Sequence, residues 1–298
     1  MKFVATPNFL LFCILVFISL FIFASFYEFQ SVNFENSFSY LKPELLILFL
    51  LAEPHFAFTL PLLFGYRNLF LKKKFIFIFI PLIILIISSY LFFFHFYIFS
   101  MCFLVANVYH VNRQSYAFFS MQASPSDFDK SIYEWLLHTF FVIAFVIHNT
   151  YPQYKIELTF ISLASLIFLS IFIMRNNKKK IYSKISFLQG FLIWLPVIWF
   201  NNIIIAFAVG ISIHYLQYLV ISWSVCSKSF KYSSVLIILT LISYSSMSSM
   251  SLSGIFTSNK LSILIFIPTF LQLLHFYYDS FIWKRNSPDI NSILKKTI

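Results

Sequence analysis

The 298-residue chain is 60% hydrophobic and 10% charged, with a mean hydropathy of +0.86, whereas a soluble domain carries roughly 25% charged residues. Apolar runs of about 18 residues or more recur along its whole length, which excludes a soluble globular domain. The runs lack period-two alternation, which excludes a β-barrel, and the net charge of +11 sits in short basic clusters beside them, a topology signal and not a nucleic-acid surface.

Ten spans are expected, in chain order 8–26, 44–64, 75–91, 94–119, 132–150, 157–174, 187–200, 203–225, 233–250 and 261–282. They make one all-α, polytopic membrane domain over residues 1–298, with no soluble domain. The first run is followed by no small-residue cleavage site, so it reads as a retained span and not a signal peptide. The stretch 75–119 is too long for one crossing and is broken near Tyr90. The stretch 187–225 is split at Asn201-Asn202, a polar pair suited to a tight turn, and 187–200 is short enough that a re-entrant segment is the alternative. With the N-terminus inside, 17 of the 21 basic residues fall on the cytoplasmic side. Only Lys42, Lys155 and Lys260 fall outside, and Arg113 lies within a span. That asymmetry predicts both termini in the cytoplasm, here of a bacterial inner membrane.

The 43 Phe accompany abundant Ile, Lys, Asn and Tyr, a set that shares AT-rich codons, so they read as genome bias and not as an aromatic cofactor box. Only four glycines occur, so close helix approach is expected to rely on Ala and Ser. The three cysteines show no paired spacing and give no disulfide or zinc signal.

Five histidines fall inside expected spans: His55, His110, His138, His214 and His275. At about 1.5 Å per helical residue they occupy a slab roughly 8 Å thick on the cytoplasmic side of the bilayer centre. Ionisable groups in a span are costly and turn towards the bundle interior, which makes each a candidate functional group. Residues three and four apart share a helix face. On that spacing His110 has Arg113 and Gln114, His214 has Gln217 and Tyr218, and His275 has Tyr278 and Asp279. Such polar stripes suit a wet or metal-bearing interior. His55 follows Pro54, which removes a backbone hydrogen bond and kinks a helix. Glu53, two residues earlier, needs a cation, a proton or a metal nearby. Arg113 and Asp279 offer an intramembrane ion pair as an alternative role, and His138, one turn after Glu134, is the histidine best explained as structural. Tyr109, Tyr215 and Tyr277 read as packing or interfacial groups.

His55, His110, His214 and His275 are therefore the candidate metal ligands, with Glu53, Arg113, Gln114, His138, Gln217 and Asp279 as outer partners or a polar path. Neutral imidazoles with one carboxylate suit iron, zinc or copper better than magnesium or calcium. A site inside the bilayer takes a lipophilic substrate entering sideways between helices.

Histidines dispersed singly over several spans resemble the site design of the Brp/Blh family of bacterial membrane carotene dioxygenases. The segment nearest to that family's PHG-x-x-DH type of motif is EPHFAF at 53–58. The resemblance implies one iron held by four histidines on separate helices, which His55, His110, His214 and His275 would supply, and oxidative cleavage of a carotene. The expected function is a metal-dependent oxygenase acting on a lipid or isoprenoid. The alternatives are a proton-coupled transporter, with the histidines, Glu53, Arg113 and Asp279 along its path, and a non-catalytic membrane subunit.

Overall fold

A computed structural model describes residues 7–33, 47–59, 74–123, 127–150, 181–229 and 262–282, together with a few single positions between them. Every element among the described residues is helical: α1 Pro7–Asn33, a π-helical turn Leu48–Ala52, α2 Glu53–Ala57, α3 Lys74–Phe94, α4 Phe96–Ala123, α5 Asp127–Thr150, α6 Ile181–Leu192, α7 Leu195–Trp199, α8 Ile203–Ser229 and α9 Ser262–Ile282. Among the described residues, four segments are long and apolar enough to cross a membrane: Phe9–Phe29, Lys74–Phe94, Ile132–Asn149 and Ile203–Trp223. The protein is thus an integral membrane protein by helix length and composition. Two thirds of Ile203–Trp223 (67%) is buried against 22–28% of the other three, so α8 is surrounded by protein while the others turn most of their apolar surface outward. The expected spans 157–174 and 233–250 lie almost wholly outside the described residues.

The described residues fall into two compact units, one drawn from Phe49–Val108 and Tyr218–Ile298, the other from Lys2–Leu48 and Tyr109–Gln217. In the first unit, α9 packs along α3. Phe266 meets Phe92 at one end of the contact, and the Tyr278 hydroxyl donates to the Phe77 carbonyl at the other, so the two helices are antiparallel. Phe92, Phe99 and Phe266 form the buried centre of this unit, with Leu85, Phe103 and Phe270 against them. Phe77 stacks on Tyr278 while Phe103 meets Phe276. In one straight helix Phe77 and Phe103 would stand about 39 Å apart, so the chain reverses between α3 and α4. The reversal is at His95, five residues beyond the expected break near Tyr90. The His95 N–H closes α3 on the Leu91 carbonyl, and its own carbonyl accepts from Phe99 to open α4. No Gly, Pro or Asn marks the place; the aromatic run simply continues the helix past Tyr90.

In the second unit, α1, α5 and the α6–α7 segment run parallel. Gln189 donates to the Leu10 carbonyl, and Glu28 accepts from the Asn201 and Asn202 N–H groups at the far end. Tyr133 donates to the Phe187 carbonyl, and His148 Nδ1 meets the Val197 carbonyl. In the expected order these are the first, fifth and seventh spans, which all run outward. The 187–200 region is an interrupted helix. Pro196 has no N–H to offer Leu192, so α6 ends there, a turn follows at Ile193 and Trp194, and α7 restarts with Pro at its first turn. Its bonds to Leu10 and Glu28 lie 18 residues apart along α1, about 27 Å of helix.

The expected turn at Asn201-Asn202 is present. Asn202 Oδ1 accepts from the Ile204 and Ile205 N–H groups and caps α8, while Glu28 holds the two preceding N–H groups. Asn202→Ala should lower stability by about 1 kcal/mol, the usual loss for a missing cap, read as the midpoint of thermal unfolding in detergent. Glu28→Ala should cost at least as much, because two turn donors lose their acceptor; an unchanged midpoint in both variants would show that solvent replaces these bonds.

Close packing does not rely on Ala and Ser alone. A Cβ on Gly210 of α8 would fall on the Ile193 carbonyl oxygen, and one on Gly190 of α6 would collide with the Tyr133 hydroxyl of α5. Two of the chain's four glycines thus stand where a neighbouring element leaves no room for a side chain.

Candidate metal centre

His55 is carried by α2, a single helical turn behind the π-turn Leu48–Ala52. Pro54 has no N–H for Leu50, and the wider turn accommodates the missing bond. The Phe58 N–H closes on the Pro54 carbonyl, and Thr59 falls one turn after His55. Glu53, His55, Phe56 and Thr59 are all buried, His55 completely. His275 and Asp279 lie one turn apart on α9 and are buried as well.

These elements bring His55 and His275 together. Their ring centroids are 4.4 Å apart at 65°, and a nitrogen of each lies within 4.8 Å of the other. Two imidazoles on one tetrahedral metal, bound at about 2.1 Å, have nitrogens roughly 3.4 Å apart. The pair is gathered and needs a closing movement of about 1.4 Å at most to share an ion. Phe56 lies edge-on to both rings, at 5.1 Å from His55 and 5.2 Å from His275. Tyr218 does the same, at 4.1 and 5.2 Å. Two aromatic walls therefore hold the imidazoles in place.

A hydrogen-bonded chain runs behind them. Tyr218 donates to Asp279 Oδ1 at 2.9 Å, Thr59 Oγ1 is 3.1 Å from the Tyr218 hydroxyl, and Thr59 Oγ1 bonds His275 Nδ1. Asp279 Oδ2 stands 3.6 Å from His275 Nε2. Two buried imidazoles thus lie within reach of one ion, with a buried carboxylate beside one of them, groups of the kind first-row transition metals take.

In the second unit, His110 and His214 are both buried with ring centroids 5.5 Å apart and planes perpendicular. Gln217 donates to Gln189, which donates to the Leu10 carbonyl, so its amide ties α8 to α6 and α1. Arg113 is exposed and its guanidinium donates to Tyr109 on the same helix. Gln114 is half-buried. His138 is half-buried, with Nδ1 bonded to the Glu134 carbonyl of its own helix, the local arrangement expected of a structural histidine. Tyr277 donates to the Ile76 carbonyl and serves packing.

Thr59, Gln189 and the Trp194–Asn112 bond of 2.7 Å were not singled out by the sequence. Thr59 had a usable signal, because the i+4 spacing that pairs His275 with Asp279 also pairs His55 with Thr59. Gln189 and Asn112 had none beyond being polar inside apolar runs.

The fold and this site define a class: an all-helical integral membrane protein with buried, paired histidines. No protein-family model, no curated protein and no solved structure matches the chain.

Proposed function

We propose that the protein is a membrane-embedded metalloprotein in which His55 and His275 hold a transition metal, and that it oxygenates a lipophilic lipid or isoprenoid. The observation that carries this reading is the buried His55–His275 pair, with Asp279 beside it, inside apolar helices. Ionisable side chains there are too costly to keep without a function or a partner of opposite charge. Two further facts support it. His110 and His214 form a second buried pair within the second unit. The set of neutral imidazoles with one carboxylate suits iron, zinc or copper. A metal with an open position would supply activation of oxygen or water; the chain's part is to orient the ligands, exclude water and admit an apolar substrate between helices. A carotene-like polyene is the substrate class offered by the resemblance to the Brp/Blh family.

The topology that goes with this reading is ten spans with both termini cytoplasmic, and the parallel run of α1, α5 and α6–α7 supports it. Reporter fusions after Lys74, Lys180 and Lys296 should all report a cytoplasmic position; an external signal at any of them would break the map.

A second reading, a proton-coupled carrier, draws on the hydroxyl chain from His275 through Thr59 and Tyr218 to Asp279. The two separate cleanly. As a metalloenzyme, the protein loses bound metal and activity together on His55→Ala or His275→Ala. As a carrier, it holds no stoichiometric metal and supports a flux that changes around the usual histidine pKa of about 6.5.

A further inference from the structure

We infer that Thr59 and Tyr218 act as positioning residues that lock His275 in the Nδ1–H tautomer, so that Nε2 is the nitrogen it offers to a metal. The inference rests on the metal reading above and assigns the atom by which His275 would bind.

The order of protons follows from the inventory of donors. Tyr218 gives its single hydroxyl proton to Asp279 Oδ1. The Tyr218 oxygen, its proton spent, can only accept from Thr59, 3.1 Å away. Thr59 has one hydroxyl proton, now given to Tyr218, so towards His275 it accepts, and the proton between them belongs to Nδ1. Three hydrogen bonds are thereby aligned in one direction, His275 to Thr59 to Tyr218 to Asp279, and the buried carboxylate at the end sets that direction for all of them. The whole chain lies within the first unit, just beyond the end of α2 and on α8 and α9, and each member is buried.

The consequence falls on the other side of the ring. In the neutral ring protonated at Nδ1, Nε2 carries the lone pair, and it stands 3.6 Å from Asp279 Oδ2. Two electron-rich atoms that close favour a cation beside them. A metal-ligating histidine usually donates its second nitrogen to an oxygen acceptor that fixes the tautomer and raises ligand basicity; here that acceptor is Thr59, itself oriented by Tyr218 and Asp279. The arrangement also explains why a threonine, with one proton and an accepting oxygen, stands where the helix face of His55 meets His275.

The test uses the full chain in detergent with 15N-labelled histidine and with Co²⁺ as the metal probe. In the metal-free protein, the 15N spectrum should show His275, assigned by its absence in His275→Gln, as a neutral ring protonated at Nδ1. Thr59→Val, which keeps the shape and removes the hydroxyl, should lose that signature and weaken Co²⁺ binding about 10- to 100-fold, with an altered visible absorption spectrum. Tyr218→Phe should shift both in the same direction, and Thr59→Ser should restore both. A His275 ring protonated at Nε2 or at both nitrogens in the wild-type protein would overturn the inference. So would a Thr59→Val protein with unchanged Co²⁺ affinity and spectrum. Failure of the wild-type chain to bind Co²⁺, with the Nδ1–H signature intact, would instead count against the metal reading while leaving the tautomer assignment standing.

Discussion

Replacing His55 or His275 with alanine is expected to strip the purified protein of transition metal, with affinity reduced by at least about 100-fold, since even an outer partner of a ligand histidine is worth 10- to 100-fold. Each ring sits between the same two walls, Phe56 and Tyr218, and a nitrogen of each lies within 4.8 Å of the other. Neither can replace the other. Truncation also leaves a space in a buried cluster, so His55→Gln and His275→Gln are the cleaner variants: they keep most of the volume and remove the imidazole. Phe56→Leu is the control, because it alters the wall without touching a donor and should retain the metal. Elemental analysis of monodisperse protein reads the effect. Equal metal content in wild type and His275→Gln would exclude His275 as a ligand, whatever the activity.

Gly210→Ala is expected to be the most damaging single-methyl change outside the site, destabilising the protein by about 3 kcal/mol or more, the upper range for overpacking. The added carbon would fall on the Ile193 carbonyl oxygen, which is backbone at the break between α6 and α7 and cannot rotate away. The Val197 N–H bonds Trp194 and not Ile193, so this carbonyl belongs to the turn that Pro196 imposes. Gly190→Ala is the instructive contrast. Its added carbon would meet the hydroxyl of Tyr133, a side-chain atom, so combining it with Tyr133→Phe should recover much of the loss. Thermal unfolding of the three variants in one detergent separates these cases; a Gly210→Ala protein as stable as wild type would mean that α8 can withdraw from α6–α7 freely.

The helical membrane class was legible from composition because apolar runs of span length leave few other folds open. The turn at Asn201-Asn202 was legible too, since two polar residues between apolar runs have a capping role that local chemistry dictates, and Asn202 performs it. The reversal at His95 was not, because Ser88 to Phe99 contains no residue that ends a helix; there the packing of Phe92 and Phe99 against Phe266 sets the place, and such long-range contacts leave no local mark. The candidate site divides along the same line. Tyr218 and Asp279 follow from one-turn spacing on regular helices. Thr59 obeys the same spacing, but it stands behind a π-turn and Pro54, where a sequence does not reveal whether the helix survives. Gln189 pairs with Gln217 on another helix, and Glu28 reaches Asn201 and Asn202 from a distant one. Partners of that kind are chosen by tertiary packing, and the sequence shows only that a costly polar group is present. The same holds for the glycines: their small number says nothing about where they stand, and Gly190 and Gly210 both stand at close contacts.

The central claim is that buried histidines of this chain hold one transition metal. Elemental analysis of the full-length protein, purified in detergent without chelators after growth with iron, zinc and copper supplied, tests it most directly. The account predicts about one first-row transition metal per chain, retained through gel filtration and lost in His275→Gln with helix content unchanged. A correctly folded wild-type protein that carries no stoichiometric metal, and takes none up on reconstitution, would contradict it.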